Sequence, residues 1–151
     1  MNECIRMGAD EAVAKLNKEM GGFTPNTLGC IKKHHPELAS LIHDMDRVIV
    51  TDGALDKKTK RLIAVACVAV RMCEDCVYPQ AKVAKNYGAT REEIIEALNI
   101  AVLTGGVPSW STAKRGINKL FEEWDEEDAA KAKQKPKTKR PAAKKASPKK
   151  K

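Results

Sequence analysis

One cluster of side chains in this sequence has types and spacing that point to chemistry: Cys73-Glu74-Asp75-Cys76. Two cysteines three residues apart at a helix start share one face, with Cβ atoms about 5–6 Å apart in an ideal helix. A modest distortion of the first turn brings them to the ~3.8 Å of a disulfide. Free backbone N–H groups at a helix N-terminus favour negative charge and raise the thiolate fraction, the form that attacks peroxides and disulfides. Redox chemistry is therefore within reach of the pair, while a reading as two small buried hydrophobes stays open. A structural zinc site needs four ligands, and neither a second C-x-x-C nor an H-x-x-x-H follows. His34 and His35 lack suitable spacing and His43 stands alone, so no metal or other cofactor is expected. Cys67 in an apolar helix and Cys30 on an amphipathic one are expected to pack rather than react.

The elements that must position this pair read as helices almost throughout. Ala12, Val13, Leu16 and Met20 recur at helical spacing before Gly21-Gly22, which gives an N-terminal helix within residues 1–23. Pro25-Asn26 opens a second helix, and Pro36 starts a third whose apolar stripe runs through Leu38, Leu41, Ile42, Met45, Val48 and Ile49. Asp56 can cap the next helix, whose interior from Leu62 to Val70 is apolar on every side and is expected to be buried all round. β-branched residues keep a strand open there as the lesser alternative. Cys73 opens the helix that Gly88 ends, with Val77, Ala81 and Ala84 inward. Thr90 and Glu93 form a capping box that launches Ile94 to Leu103, a run with more apolar surface than one small domain can cover, and the surplus reads as a subunit interface. After Gly105-Gly106 a last helix, with Trp110, Ala113, Ile117, Leu120 and Phe121 inward, is expected to end near Trp124. The folded domain is thus placed at residues 24–124, with a low-complexity, disordered segment over 125–151.

The net charge of +8 is segregated: residues 131–151 hold eleven Lys or Arg and no acid, so the other 17 basic residues face all 20 acidic ones. The body is a mildly acidic globule of one-domain size. Any attraction to polyanions must come from the tail, through Lys139, Arg140, Lys144, Lys145, Lys149, Lys150 and Lys151. Without aromatics to stack on bases, such binding to nucleic acid would be sequence-independent and salt-sensitive. The N-terminus has no apolar run of signal-peptide length behind a basic region, no segment approaches membrane-span length, and five cysteines suit a reducing compartment, so a cytoplasmic location is expected. Two basic clusters in the tail resemble a bipartite nuclear-import signal, which leaves a nuclear or nucleoid-associated site open.

Several separate blocks resemble the alkylhydroperoxidase D (AhpD-like) and carboxymuconolactone decarboxylase family: Leu55-Asp56-Lys57-Lys58-Thr59-Lys60-Arg61-Leu62-Ile63-Ala64, then Cys73-x-x-Cys76-Val77, then Gly88-Ala89-Thr90-x-Glu92-Glu93-Ile94, Ala97-Leu98 and Gly105-Gly106. The resemblance implies an all-α helical bundle with buried helices around the C-x-x-C helix, in a homo-oligomer, commonly a trimer or hexamer. It also implies peroxide or disulfide reduction through the pair, with Cys76 attacking, Cys73 resolving and a dithiol electron donor.

The sequence departs from that pattern where it matters. Thiol-active members resemble E-x(11)-C-x-x-C-x-x-x-H, with Glu and His relaying protons, and those positions here hold Arg61 and Gln80, while Asp75 stands where a His often precedes the second Cys. Neither a guanidinium nor a carboxamide can act as a base at neutral pH, so assistance of about 10²–10⁴-fold is lost. The sequence therefore reads as an antioxidant thiol enzyme of peroxidase or disulfide-oxidoreductase type, weakened by the lost relay. The alternatives are a carboxymuconolactone decarboxylase-like protein without redox activity, and a non-enzymatic oligomeric scaffold with a polyanion-binding tail.

Overall fold

The computed structural model describes residues 7–134, and they form seven α-helices: α1 (Ala9–Glu19), α2 (Asn26–His34), α3 (Pro36–Val50), α4 (Lys57–Val70), α5 (Glu74–Asn86), α6 (Arg91–Gly105) and α7 (Val107–Gln134). The fold is all-α, as the periodicity predicts, and the local stop and start signals act where they stand. The Asp56 carboxylate accepts the Thr59 N–H at 2.6 Å to cap α4. Thr90 and Glu93 close both bonds of the capping box on α6. Pro36 occupies the first turn of α3, where its missing N–H costs nothing.

Helices α4 to α7 pack around one core of Val65, Ala69, Val77, Ala81, Ile94, Leu98, Ala113 and Leu120, all essentially without solvent contact. Burying each Leu or Ile there contributes about 2 kcal/mol, and the alanines let the helix axes approach. Gly116 of α7 carries this furthest, since a Cβ there would lie 3.0 Å from the Tyr78 backbone nitrogen of α5. A second, smaller core of Leu16, Met20, Leu28 and Val83 joins α1 and α2 to the far side of α5, with Tyr87 packed against it. Helix α5 therefore lies between two cores.

Several expectations need correction. Trp110 is 36% exposed rather than inward, and on α3 the stripe residues Leu38, Leu41, Met45 and Val48 are exposed while Ala39, Ser40, His43 and Val50 form the buried face. Helix α4 is not buried all round: Arg61, Val65 and Ala69 are buried and Leu62, Ala66, Val68 and Val70 pack partly against the core, while Ile63 is 48% exposed and Cys67 is exposed on the remaining side. Cys30 is likewise exposed rather than packed. The last helix does not stop near Trp124 but continues to Gln134, so residues 125–134 of the expected disordered segment are helical. Ion pairs to α5 and α6 hold that extension: Lys82 reaches Glu123 and Glu127, Lys85 reaches Glu127, and Arg91 reaches Asp125. The tail cations from Lys139 to Lys151 lie outside the described residues.

Candidate active site

The turn between α4 and α5 delivers the cysteines. Helix α4 closes with Met72 N–H bonded to the Ala69 carbonyl and Cys73 N–H bonded to the Val68 carbonyl, the paired bonds of a Schellman stop. The left-handed position in such a stop usually holds glycine, but here it is Met72, at φ 57°. A side chain in that region costs about 1 kcal/mol, so backbone strain is stored next to the first cysteine. Cys73 then serves as N-cap of α5, and the Cys76 N–H bonds to the Cys73 carbonyl at 3.0 Å. The two sulfurs are joined as a disulfide across a Cα separation of 5.3 Å, and both residues remain partly exposed.

One turn beyond Cys76, on the same face of α5, lies Gln80. Its Oε1 accepts a hydrogen bond from Arg61 Nη1 at 2.7 Å. The two residues at the departed relay positions are thus brought together, cation to neutral amide. Arg61 is only 3% exposed, and its Nε and Nη2 are buried without a hydrogen-bond partner. That is costly for a charged group, because each lost water contact is worth about 1–3 kcal/mol. Asp75 does not join this face. It points to solvent with 96% of its side chain exposed and meets Arg115 at 3.4 Å, while Glu74 meets the same arginine at 3.0 Å.

Sequence reasoning missed a third group. Asp46 of α3 shares the inward face of that helix with Ala39, His43 and Val50 at helical spacing. Burial raises its pKa above the ordinary carboxylate value, the nearby Arg61 charge and His43 pull it down, and Glu19 pushes it up. Tyr87, the residue that caps the C-terminus of α5, lies in the same surroundings; burial raises its pKa, the Arg61 charge opposes the rise, and its hydroxyl donates to the Glu19 carbonyl at 2.7 Å. The signal available in the sequence was an acid three residues after an inward histidine, which on its own is weak. Among the described residues no group of three or more His, Cys, Asp or Glu gathers at metal-binding distance.

The arrangement offers a dithiol that can open and close at a helix N-terminus, and a fixed buried cation bonded to the same helix face. It offers no general base within the Arg61 and Gln80 pair.

Comparison with known proteins agrees with the all-α fold. The model of the carboxymuconolactone decarboxylase family matches residues 36–118. An uncharacterised protein of Methanocaldococcus jannaschii is 36% identical over 91 residues, 60% of this chain and 88% of the relative. An uncharacterised protein of the cox locus of Paracoccus denitrificans is 40% identical over 78 residues, 52% of this chain and 70% of that protein. A crystal structure from Burkholderia xenovorans, assigned as a carboxymuconolactone decarboxylase, superposes with a TM-score of 0.67 at 27% identity, covering 81% of this chain and 94% of that one. The apo structure of a carboxymuconolactone decarboxylase family protein from Legionella pneumophila gives a TM-score of 0.58 at 31% identity, covering 76% and 95%.

Proposed function

The chain belongs to the carboxymuconolactone decarboxylase family, and from that membership and the geometry of the α5 N-terminus we infer that it is a thiol-dependent redox protein of the alkylhydroperoxidase type. The observation that carries the reading is the Cys73 and Cys76 pair, bonded at the start of α5 with both residues partly exposed.

In the cycle so inferred, the Cys76 thiolate attacks a peroxide oxygen. An S–O bond forms as the O–O bond breaks, and the departing alkoxide takes a proton to leave as alcohol. The Cys73 thiol then displaces hydroxide from the oxidised sulfur, which leaves as water, and the S–S bond closes. An external dithiol returns two electrons and two protons and is itself oxidised to a disulfide. A guanidinium is no base, so Arg61 serves only as a fixed positive charge, proton transfer falls to solvent and turnover is slow for the family.

Exposed apolar residues support a homo-oligomeric assembly, since Ile100, Leu103 and Val107 are 57, 82 and 74% exposed; the trimer or hexamer is what the family resemblance implies. The tail cations would add salt-sensitive contact with polyanions.

The test is Cys76→Ser in an assay of thiol-dependent peroxide consumption. Loss of at least about 100-fold is expected, and unchanged turnover would discard Cys76 as the attacking thiol. Mass spectrometry of alkylated protein after mild oxidation separates the rivals: no preference for a bond between Cys73 and Cys76 would favour a scaffold. Release of CO₂ from a muconolactone would favour decarboxylation.

A further inference from the structure

Two carboxylates stand between the cysteines in the first turn of α5, Glu74 directly after Cys73 and Asp75 directly before Cys76. The N–H groups of that turn favour negative charge, but a neighbouring carboxylate repels a thiolate and opposes its formation. Both carboxylates meet the same cation. We propose that Arg115 of α7 is a positioning residue of the dithiol, drawing the Glu74 and Asp75 charges toward α7 and so offsetting their opposition to thiolate formation at Cys73 and Cys76. The proposal rests on the dithiol reading above and extends it to a residue that tunes thiol reactivity.

Three observations carry it. Arg115 Nε lies 3.0 Å from Glu74 Oε1 and Arg115 Nη2 donates to Asp75 Oδ1 at 3.4 Å, so one guanidinium spans both residues that separate the cysteines. Helix α7 is fastened to this turn on either side of Arg115: Thr112 Oγ1 donates to Met72 Sδ at 3.2 Å, and a Cβ at Gly116 would lie 3.0 Å from the Tyr78 nitrogen. The helix that carries the guanidinium is thereby fixed against the start of α5. Glu74, Asp75, Tyr78, Arg115 and Lys119 line one cavity of about 650 Å³. Lys119 engages the Tyr78 ring there, its Nζ 4.5 Å from the ring centre, and the Tyr78 hydroxyl is committed to Glu123, so Arg115 is the group that meets the two carboxylates. The other charges near the turn are the exposed Arg71 just before Met72 and, on α4, Arg61, whose hydrogen bond ends on Gln80. Exposed ion pairs add little to stability, so this arrangement shows itself in thiol reactivity rather than in folding.

The experiment uses the full chain, reduced, with the exposed Cys30 and Cys67 replaced by Ser so that iodoacetamide reports only on Cys73 and Cys76. The alkylation rate is followed from pH 6 to 10 at low salt. Arg115→Gln should raise the inflection by about half a unit, which is about a threefold fall in rate below it, and Arg115→Lys should keep most of the original rate. The combined Glu74→Gln and Asp75→Asn variant should lower the inflection, and adding Arg115→Gln to it should move the inflection by less than half as much as in the parent. In about 1 M KCl, where charges are screened within about 3 Å, the Arg115→Gln shift should shrink. An unmoved inflection in Arg115→Gln, or half or more of its shift in the background lacking both carboxylates, would overturn the proposal. If Arg115→Gln fails to fold, the variant lacking both carboxylates decides, because it must lower the inflection and no movement refutes the coupling. Alkylation needs no turnover, so absence of peroxidase activity would count against the enzymatic reading and leave this comparison standing.

Discussion

Helix α5 presents its own cations to α7 and receives another from α4, and the chain treats the two in opposite ways. On the face toward α7, Lys82 lies between Glu123 at 3.1 Å and Glu127 at 3.2 Å, and Lys85 pairs with Glu127 at 2.5 Å while its ammonium sits 4.8 Å from the centre of the Trp124 ring. Arg91 from α6 extends the same ladder, pairing with Asp125 at 2.7 Å and stacking against Phe121 and Trp124. On the face toward α4, Arg61 is more deeply buried and holds a single hydrogen bond to an uncharged acceptor. A satisfied network stabilises and fixes a helix, whereas a buried charge with idle donors costs stability. Such a cost is expected where chemistry rather than packing sets the residue.

Removing the ladder gives the largest expected effect. A chain ending at Trp124 loses Asp125, Glu127 and Asp128, and should unfold about 2 kcal/mol more easily than one ending at Gln134, measured by urea denaturation. An equal midpoint would mean that the extension is carried passively.

Lys82→Met should cost about 1 kcal/mol, since it removes the ammonium shared by Glu123 and Glu127, leaving Glu127 with Lys85 and Glu123 with only the Tyr78 hydroxyl and the more distant Lys119 charge. Arg61→Met, in a more buried place, should change stability by less than that, because it also removes the idle N–H groups. If Arg61→Met proves the more damaging of the two, the contrast between the faces collapses.

Acid should dissolve one face before the other. At Glu123 burial alone would raise the pKa, but hydrogen bonds from Tyr78 and Lys82 outweigh it and hold the carboxyl below its ordinary value; at Glu127 the Lys85 bond does the same. Their stabilisation is present above the unfolded pKa near 4.5 and is lost as pH falls through the lowered values. Asp46 has a raised pKa, so any stability linked to it runs the other way, greatest at low pH and declining as pH rises through its shifted value. Hydrogen exchange should therefore show residues 121–134 opening first on acidification below about pH 4. The smallest effect belongs to Met72→Gly, which should raise stability by about 0.5 kcal/mol by relieving the left-handed strain; a loss instead would show that the side chain's contact with Thr112 outweighs it.

What could be read from the residues alone was whatever depends on neighbours three or four positions away. Asp56 with Thr59, Thr90 with Glu93, Pro36, and the closeness of Cys73 to Cys76 are all local geometry, so the helix starts and the dithiol were legible without a fold. The break before Cys73 was placed correctly, although no glycine marks it, because the apolar run ends there; the strain at Met72 left no trace in composition. Helix α7 was ended too early because its acidic last turns look like a solvated segment until Lys82, Lys85 and Arg91, more than thirty residues earlier in the chain, supply their partners. The exposure of Cys67 was hidden for the converse reason, since an apolar residue on an all-apolar helix does not say which face meets protein. Only the packing of α4 against α5 decided that Arg61 would bond Gln80, because a buried charge finds its partners across helices, where sequence separation carries no information about distance.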